Sequence, residues 1–148
     1  PLTIADADTE KGTITLVVQK VGLSSTKLCN LNEGDEIHDV VGPLGNPTHI
    51  ENFGTVLCAG GGVGVAPMLP IIKALKAAGN RVLSVIAGRS KDLVIMEDEV
   101  RASSDELIIM TDDGSNGNKG LVTQALQQRI AALECALADP QAAPAEKR

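Results

Sequence analysis

The sequence predicts an α/β protein in which antiparallel strands are followed by a parallel sheet with crossover helices. Residues 1–50 contain short β-prone pieces separated by polar turns, a pattern typical of an antiparallel sheet. From Thr55 onward, strand-like and helix-like segments alternate in the order βαβαβα. That alternation predicts parallel strands joined by right-handed crossovers. The change of pattern places a domain boundary between residues 50 and 51.

The first 50 residues predict a hairpin, a short capped turn and one further strand. Residues 1–6 and 13–19 flank a polar turn and form the predicted hairpin. Ser25 and Thr26 precede a short apolar turn, where hydroxyls suit either a plain helix cap or a phosphate contact. Residues 36–41 predict the further strand, before glycines and prolines interrupt regular structure.

The second half predicts a nucleotide-binding domain with a thin parallel sheet. Its predicted strands are 55–59, 81–87 and 106–111, and its predicted helices are 66–78, 93–102 and 120–135. The strand 55–59 is an apolar run and is predicted to be buried. Because three strands make a small sheet for such a domain, we expect a protein truncated at both ends. Residues 136–148 are rich in Ala and Pro and predict a disordered tail.

Composition argues against several classes of function. The net charge is −6, which disfavours binding to the phosphates of nucleic acid. Aromatic residues make up 1% of the chain, so base stacking is also disfavoured. No apolar run approaches the ~20 residues of a membrane span. The three cysteines are widely spaced without a CxxC pair, which predicts no metal site in this chain and a cytoplasmic protein.

The motif with the clearest chemistry is a glycine-rich corner between the first parallel strand and its helix. Residues 55–67 have the sequence TVLCAGGGVGVAP, which places Gly61, Gly62, Val63 and Gly64 at the corner. Glycine lets the main chain approach a ligand closely, and a helix N-terminus attracts anions. The motif therefore predicts a dinucleotide diphosphate, provided that the corner is open. The alternative is a tight turn without a ligand.

The corner differs from the common dehydrogenase fingerprint at two points. Pro67 stands where a third small residue is expected, although proline is tolerated in the first turn of a helix. The acidic residue expected about 20 positions later is missing, because the next strand is followed by Gly88, Arg89 and Ser90. The sequence thus predicts a dinucleotide site of another kind.

Arg89 marks a second loop at the carboxyl end of a predicted parallel strand, where ligands bind in doubly wound sheets. Its guanidinium suits phosphate or ribose oxygens. The alternative is a surface ion pair with Asp92 or Glu97.

A third loop follows the last predicted strand and is rich in carboxylates and glycine. Its candidate ligand contacts are Asp112, Asp113, Gly114 and Ser115. Carboxylates accept hydrogen bonds from ribose hydroxyls and repel an additional 2′-phosphate, so the loop favours NAD over NADP. The alternative is a solvated turn that leads into a capped helix.

Three segments taken together resemble the ferredoxin–NADP reductase superfamily. They are GPLGNP at 42–47, CAGGGVGVAP at 58–67 and TDDGSNGNKG at 111–120. The likeness runs from Pro1 to about Ile130. It is strongest to flavin- and NAD-binding subunits such as those of dihydroorotate dehydrogenase and of NADH-dependent ferredoxin:NADP oxidoreductase. Each motif alone is weak, whereas three in order form a specific pattern.

The resemblance implies a partial FAD-binding β-barrel at 1–50 and a Rossmann-like NAD(P)-binding domain at 51–135. The implied flavin contacts are Pro1, Leu2, Thr3, Val17, Val18, Gln19, Ser25 and Thr26. Thr3 takes the catalytic place, hydrogen-bonded to the flavin ring near N5, and Ser25 and Thr26 contact the diphosphate. The implied NAD diphosphate loop contains Gly61, Gly62 and Gly64, and 112–115 is the second nucleotide loop. The [2Fe-2S] cysteines of close relatives fall outside this chain.

The implied function is electron transfer. The full-length protein would be an NAD(P)H-dependent flavin oxidoreductase that passes hydride between NAD(H) and FAD and electrons on to an iron–sulfur carrier. Its partners would be NAD(H) and a second oxidoreductase subunit or ferredoxin, and we expect the fragment alone to be inactive. The alternative is a non-catalytic module that binds a nucleotide or docks a subunit.

Overall fold

The computed structural model describes residues 2–138 and confirms the α/β fold class. In chain order the elements are β1 (Ile4–Asp8), β2 (Thr13–Leu16), α1 (Leu23–Cys29), β3 (Thr55–Gly61), α2 (Val65–Ala77), β4 (Arg81–Gly88), α3 (Glu97–Ser103), β5 (Glu106–Thr111) and α4 (Val122–Ala138). Short 3₁₀ turns at Gly62–Gly64 and Lys91–Leu93 precede α2 and α3. β1 and β2 form an antiparallel pair, and β3, β4 and β5 form a parallel sheet.

The parallel sheet is ordered β3-β4-β5, with β4 in the centre. Gly61 of β3 lies beside Ala87 of β4, which lies beside Met110 of β5. Because the strands are parallel and end at the same level, the three following loops open at one edge of the sheet. The predicted loops therefore meet in space.

Helix α2 forms the core on one face of this sheet. Leu69 and Ile72 are fully buried against Val82 and Ile86 of β4, and each such side chain contributes about 1.5–3 kcal/mol on burial. Alternate residues of β4, such as Leu83, face the opposite side of the sheet, where α4 packs across the strands. The sheet is thus covered on both faces, which explains the apolar character of β4.

The predicted hairpin is confirmed and docks on α2. Ile4 pairs with Leu16, and the turn is closed by the Asp8 carboxylate, which accepts hydrogen bonds from the amides that follow it. Ala5 is fully buried in the contact between β1 and α2. Lys73 of α2 donates to both carboxylate oxygens of Asp6 at 2.8 Å.

The predicted strand at 36–41 is wrong. These residues carry no strand and belong to a largely exposed segment between α1 and β3. Val40 and Val41 are 65% and 77% exposed, since no strand of residues 2–138 lies beside them. Within these residues the barrel part has only the strands β1 and β2, and it does not close.

Other element boundaries differ more modestly. The predicted helix 93–102 begins later, at Glu97, because residues before it turn inward and pack on the core, and Met96 adopts a left-handed conformation with φ 55°. The strand predicted to be buried is the half-exposed edge strand β3. The tail predicted from residue 136 is helical through Ala138, and 139–148 lie outside the described residues. No helix within 2–138 has the length and apolarity that crossing a membrane requires.

Candidate functional site

A cleft of about 870 Å³ lies at the carboxyl edge of the parallel sheet, within the ~300–1,000 Å³ typical of small-molecule sites. We call it the carboxyl-edge cleft. It is lined by Val17, Val18, Gln19, Gly61, Gly62, Val63, Ala87, Gly88, Arg89, Leu93, Ile95, Asp112, Leu121, Val122 and Thr123. The glycine corner, the Arg89 loop, the Asp112 loop and the segment after β2 therefore border one space.

The glycines of the corner serve two different purposes. A Cβ at Gly60 would lie 3.1 Å from the main-chain oxygen of Gly64, so the tight return of the chain needs glycine there. Gly62 has φ +52°, and a Cβ there would meet nothing within 4 Å. A Cβ at Gly61 would be in ordinary contact with the Ala87 oxygen, at 3.9 Å. One glycine thus closes the turn, and the next two leave open space at the cleft.

The start of α2 presents free main-chain donors at this corner. Neither the 3₁₀ turn at Gly62–Gly64 nor α2 has a side-chain cap within the described residues. The first amides of a helix have no acceptor inside the helix, and the helix dipole places partial positive charge at this end. Pro67 lies in the first turn of α2 without interrupting it. The corner is open and suits an anion such as a diphosphate.

Arg89 directly follows β4, is exposed and lines the cleft. The alternative ion pair of Arg89 with Asp92 or Glu97 is absent among the described residues, and Glu97 pairs with Arg101 at 2.7 Å. The guanidinium therefore remains available to a ligand in the cleft.

One residue of the third loop lines the cleft, and the residues after it stabilise the loop itself. Asp112 lines the cleft, whereas Asp113, Gly114 and Ser115 do not. The Ser115 amide donates to the Asp113 carboxylate at 2.9 Å. Hydrogen bonds from Ser115 lower the pKa of Asp113 below its usual value. Gly114 takes φ +79° at the bend between them.

The implied flavin contacts are only partly brought together. Val17, Val18 and Gln19 line the cleft together with the glycine corner. Leu2 and Thr3 are exposed at the start of the hairpin and are not part of the lining. Pro1 lies outside the described residues.

Ser25 is engaged in local hydrogen bonds, in the manner of the helix cap considered from the sequence. Its hydroxyl accepts from the amides of Val21 and Gly22 at 3.0 and 2.9 Å. It also donates to the Gly22 oxygen at 3.1 Å. The neighbouring Thr26 gives its amide to the same oxygen at 2.8 Å. Both residues are outside the lining of the cleft.

Sequence reasoning missed the apolar wall of the cleft. Leu93, Ile95, Leu121 and Val122 line it, and Leu93 and Leu121 remain 54% and 55% exposed. Their position after the carboxyl ends of parallel strands was the available signal. An apolar wall beside polar corners is typical of sites that bind aromatic rings together with phosphates. Within residues 2–138, no group of three or more metal-binding side chains comes together.

No protein-family model matches the chain, but it is similar to proteins of known type. It is 53% identical over 128 residues to the "Dihydroorotate dehydrogenase B (NAD(+)), electron transfer subunit homolog" of Thermotoga maritima, a match that covers 86% of this chain and 45% of the relative. It is 36% identical over 132 residues to the dihydroorotate dehydrogenase B (NAD(+)) electron transfer subunit of Bacillus caldolyticus, covering 87% of this chain and 51% of that protein.

A solved structure of NADH-dependent reduced ferredoxin-NADP oxidoreductase has a similar fold. It aligns with a TM-score of 0.79 and 52% identity, over 86% of this chain and 46% of that chain. The chain spans about half the length of the relatives it matches. Over the part that these relatives match, the chain is similar to ferredoxin–NADP reductase-like electron-transfer subunits.

Proposed function

We propose that this chain is the nucleotide-binding part of an electron-transfer flavoprotein subunit. When bound, NAD(H) and FAD would supply the chemistry of hydride transfer and of single-electron transfer to an iron–sulfur carrier, and this chain would bind and orient them. The observation that supports this proposal best is the carboxyl-edge cleft, whose lining includes both the open glycine corner and Val17, Val18 and Gln19. The parent protein would then be an NAD(H)-dependent flavin oxidoreductase.

In the proposed NAD(H) complex, the main chain binds the phosphates and two side chains bind the sugar region. The amides of Gly61, Gly62, Val63 and Gly64 would hold the diphosphate at the start of α2. Arg89 would donate to phosphate or ribose oxygens. Asp112 would accept from ribose hydroxyls and repel a 2′-phosphate, which favours NAD(H) over NADP(H).

The chain's residues fit one part of a flavin site. Val17, Val18 and Gln19 would contact the flavin from the cleft, and Thr3, Ser25 and Thr26 would complete the contacts that the family resemblance implies. The remaining barrel would come from beyond this chain. The protein's part in the reaction is to hold two rings in near contact and orient them, which needs no general acid or base.

The [2Fe-2S] ligands and the acceptor belong, in this proposal, to the longer protein and its partner. Two curated relatives are named as electron transfer subunits. By analogy, the parent protein would dock a second oxidoreductase subunit or ferredoxin.

Thermal unfolding of the 148-residue chain with NADH tests the nucleotide part of the proposal. A ligand at about ten times its Kd stabilises the folded state by about 1.4 kcal/mol, which should raise Tm by about 4 °C. NADPH at equal concentration should raise Tm less, because the Asp112 carboxylate would repel its extra phosphate. An unchanged Tm with NADH, together with no heat of binding in calorimetry, would contradict it.

The redox part needs the chain extended to the full length of its relatives. We expect a yellow protein with flavin absorption bands that oxidises NADH with an artificial electron acceptor. A colourless full-length protein that binds NADH without oxidising it would instead indicate the non-catalytic nucleotide-binding or docking module.

A further inference from the structure

The Ser115 hydroxyl bridges the loops that follow β4 and β5. It accepts a hydrogen bond from the Lys91 amide at 2.7 Å. The Asp113 amide donates to the Arg89 oxygen at 3.2 Å, and the Ser115 amide donates to the Asp113 carboxylate at 2.9 Å. We call these three hydrogen bonds the Ser115 clasp. They tie the Arg89 loop to the Asp112 loop.

Most residues of the clasp are not part of the wall of the cleft. Asp113 and Ser115 are outside the lining, whereas their neighbours Arg89 and Asp112 are part of it. The main chain is held at Arg89 and again at Lys91, so both sides of this short loop are anchored. The Arg89 side chain, in contrast, is exposed and has no ion pair within residues 2–138. The clasp thus fixes the main chain at Arg89 and leaves the guanidinium of this residue free.

We propose that Ser115 and Asp113 are positioning residues that act on the nucleotide through Arg89 and Asp112. This inference rests on the proposed function, and it revises the direct nucleotide contacts that the family resemblance implies for both residues. A loop anchored in the free protein loses less conformational entropy when a ligand binds. The clasp should therefore affect both affinity, through Arg89, and the choice between NADH and NADPH, through Asp112.

Two mechanisms for Ser115 predict different selectivity. A hydroxyl that touched the diphosphate or the nicotinamide half would meet a part common to NADH and NADPH, so its loss would weaken both equally. Loss of the clasp instead frees the Asp112 carboxylate to move away from the 2′-phosphate of NADPH. Clasp loss should therefore weaken NADH binding more than NADPH binding and lower the selectivity ratio.

Calorimetric titration of the full 148-residue chain with NADH and with NADPH tests the proposal. In Ser115→Ala we expect NADH affinity to fall about three- to tenfold, as for the loss of one hydrogen bond, and the NADH/NADPH ratio to fall with it. Ser90→Ala is the matched control, because Ser90 lies in the same loop and makes no capping side-chain bond. Its affinities should equal those of the wild type.

A double-mutant cycle shows whether Ser115 acts through Arg89. If it does, Ser115→Ala should cost little further affinity in an Arg89→Met background, because coupled residues are not additive. Additive losses with an unchanged NADH/NADPH ratio would overturn the proposal, as would an unchanged affinity in Ser115→Ala. Failure of the wild type to bind NADH would instead count against the proposed function.

Hydrogen exchange in the free protein tests the clasp independently of any nucleotide. Ser115→Ala should speed exchange of the amides at 88–93 and 111–115, while exchange in the β1–β2 hairpin stays unchanged. Equal exchange of wild type and variant in both loops would also overturn the inference.

Discussion

At the scale of single residues, two adjacent glycines of the same motif have opposite tasks. A Cβ at Gly60 would press on the main chain of Gly64 at 3.1 Å, a contact that only a backbone shift relieves. Gly61 has φ −127°, an extended conformation that any residue adopts, and a Cβ there would have room. Gly60 therefore serves the fold, and Gly61 serves the space in which a diphosphate would lie.

We predict that Gly60→Ala lowers stability and that Gly61→Ala lowers nucleotide affinity. Overpacking against a fixed main chain costs about 1–3 kcal/mol, so Gly60→Ala should lower Tm by several degrees. Gly61→Ala should leave Tm unchanged or slightly higher, because alanine reduces the freedom of the unfolded chain. Paired melting curves and NADH titrations measure both effects. Equal NADH affinity in Gly61→Ala and wild type would show that no phosphate approaches that residue closely.

The roles of serine hydroxyl groups are the feature of the candidate site that local sequence predicts least well. Ser25 and Ser115 both follow the pattern of small polar residues near a helix or turn, which predicts a cap and a ligand contact equally well. Their actual partners are the amides of Val21, Gly22 and Lys91. Lys91 is 24 residues away from Ser115, and no local pattern reveals such a partner.

At the scale of elements, α2 joins the hairpin to the parallel sheet. Two lysines one turn apart on this helix make ion pairs in different directions. Lys73 pairs with Asp6 of β1, and Lys76 pairs with Asp105 just before β5. The first pair holds the segment that leads to Val17, Val18 and Gln19, and the second holds the sheet. These two pairs provide a test with an internal control.

We predict that Lys73→Met loosens the hairpin without unfolding the protein. Exposed ion pairs contribute about 0.2–1 kcal/mol, so amides of β1 and β2 should exchange about two- to fivefold faster. Hydrogen exchange followed by mass spectrometry on peptides from residues 2–19 measures this change. Lys76→Met, the matched control, should leave exchange in the hairpin as it is in the wild type. Equal acceleration by both variants would show that α2 as a whole had been destabilised.

Elements with a clear pattern of apolar residues could be predicted from the sequence. Elements that depend on a partner distant in the sequence could not. Apolar runs and helical spacing located β3, β4, β5, α2 and α4 to within a few residues. The strand predicted at 36–41 has the local character of a strand but no neighbouring strand within the described residues. Likewise, α3 starts late because Val94, Ile95 and Met96 pack on the core, and local spacing carries no information on that packing.

At the scale of the whole molecule, the cleft exists because parallel strands end together. Gly61, Ala87 and Met110 lie in one row across the sheet, so the three loops predicted separately border one cleft. The sequence was sufficient for this convergence, since βαβ topology dictates it. The apolar wall that includes Leu93 and Leu121 was not predictable, because it depends on how two loops fold back over the same edge.

Acid stability depends on two opposing effects that act over different distances. Because the net charge is −6, protonation in acid reduces the repulsion among negative charges and by itself would raise the stability of the fold. Four aspartates oppose it, because their pKa values lie below the usual 3.8 in the folded state. For three of them the main cause is a hydrogen bond from a side chain: Lys73 to Asp6, Lys76 to Asp105 and Ser115 to Asp113. For Asp8 it is a hydrogen bond from the main-chain amide of Lys11.

We predict that the local bonds dominate and that the protein loses stability in acid. Each lowered pKa gives stability that is fully present above pH 3.8 and is lost as the pH falls through the folded value. The general repulsion is screened beyond about 10 Å at 0.1 M salt, whereas the bonded atoms lie about 3 Å apart. Urea unfolding should therefore give a constant free energy between pH 7 and 5 and a falling one from pH 4 to 3. The double variant Asp6→Asn with Asp105→Asn should have a lower free energy of unfolding at pH 7 and should lose less of it in acid. A wild type that gains stability below pH 4 would show that repulsion dominates.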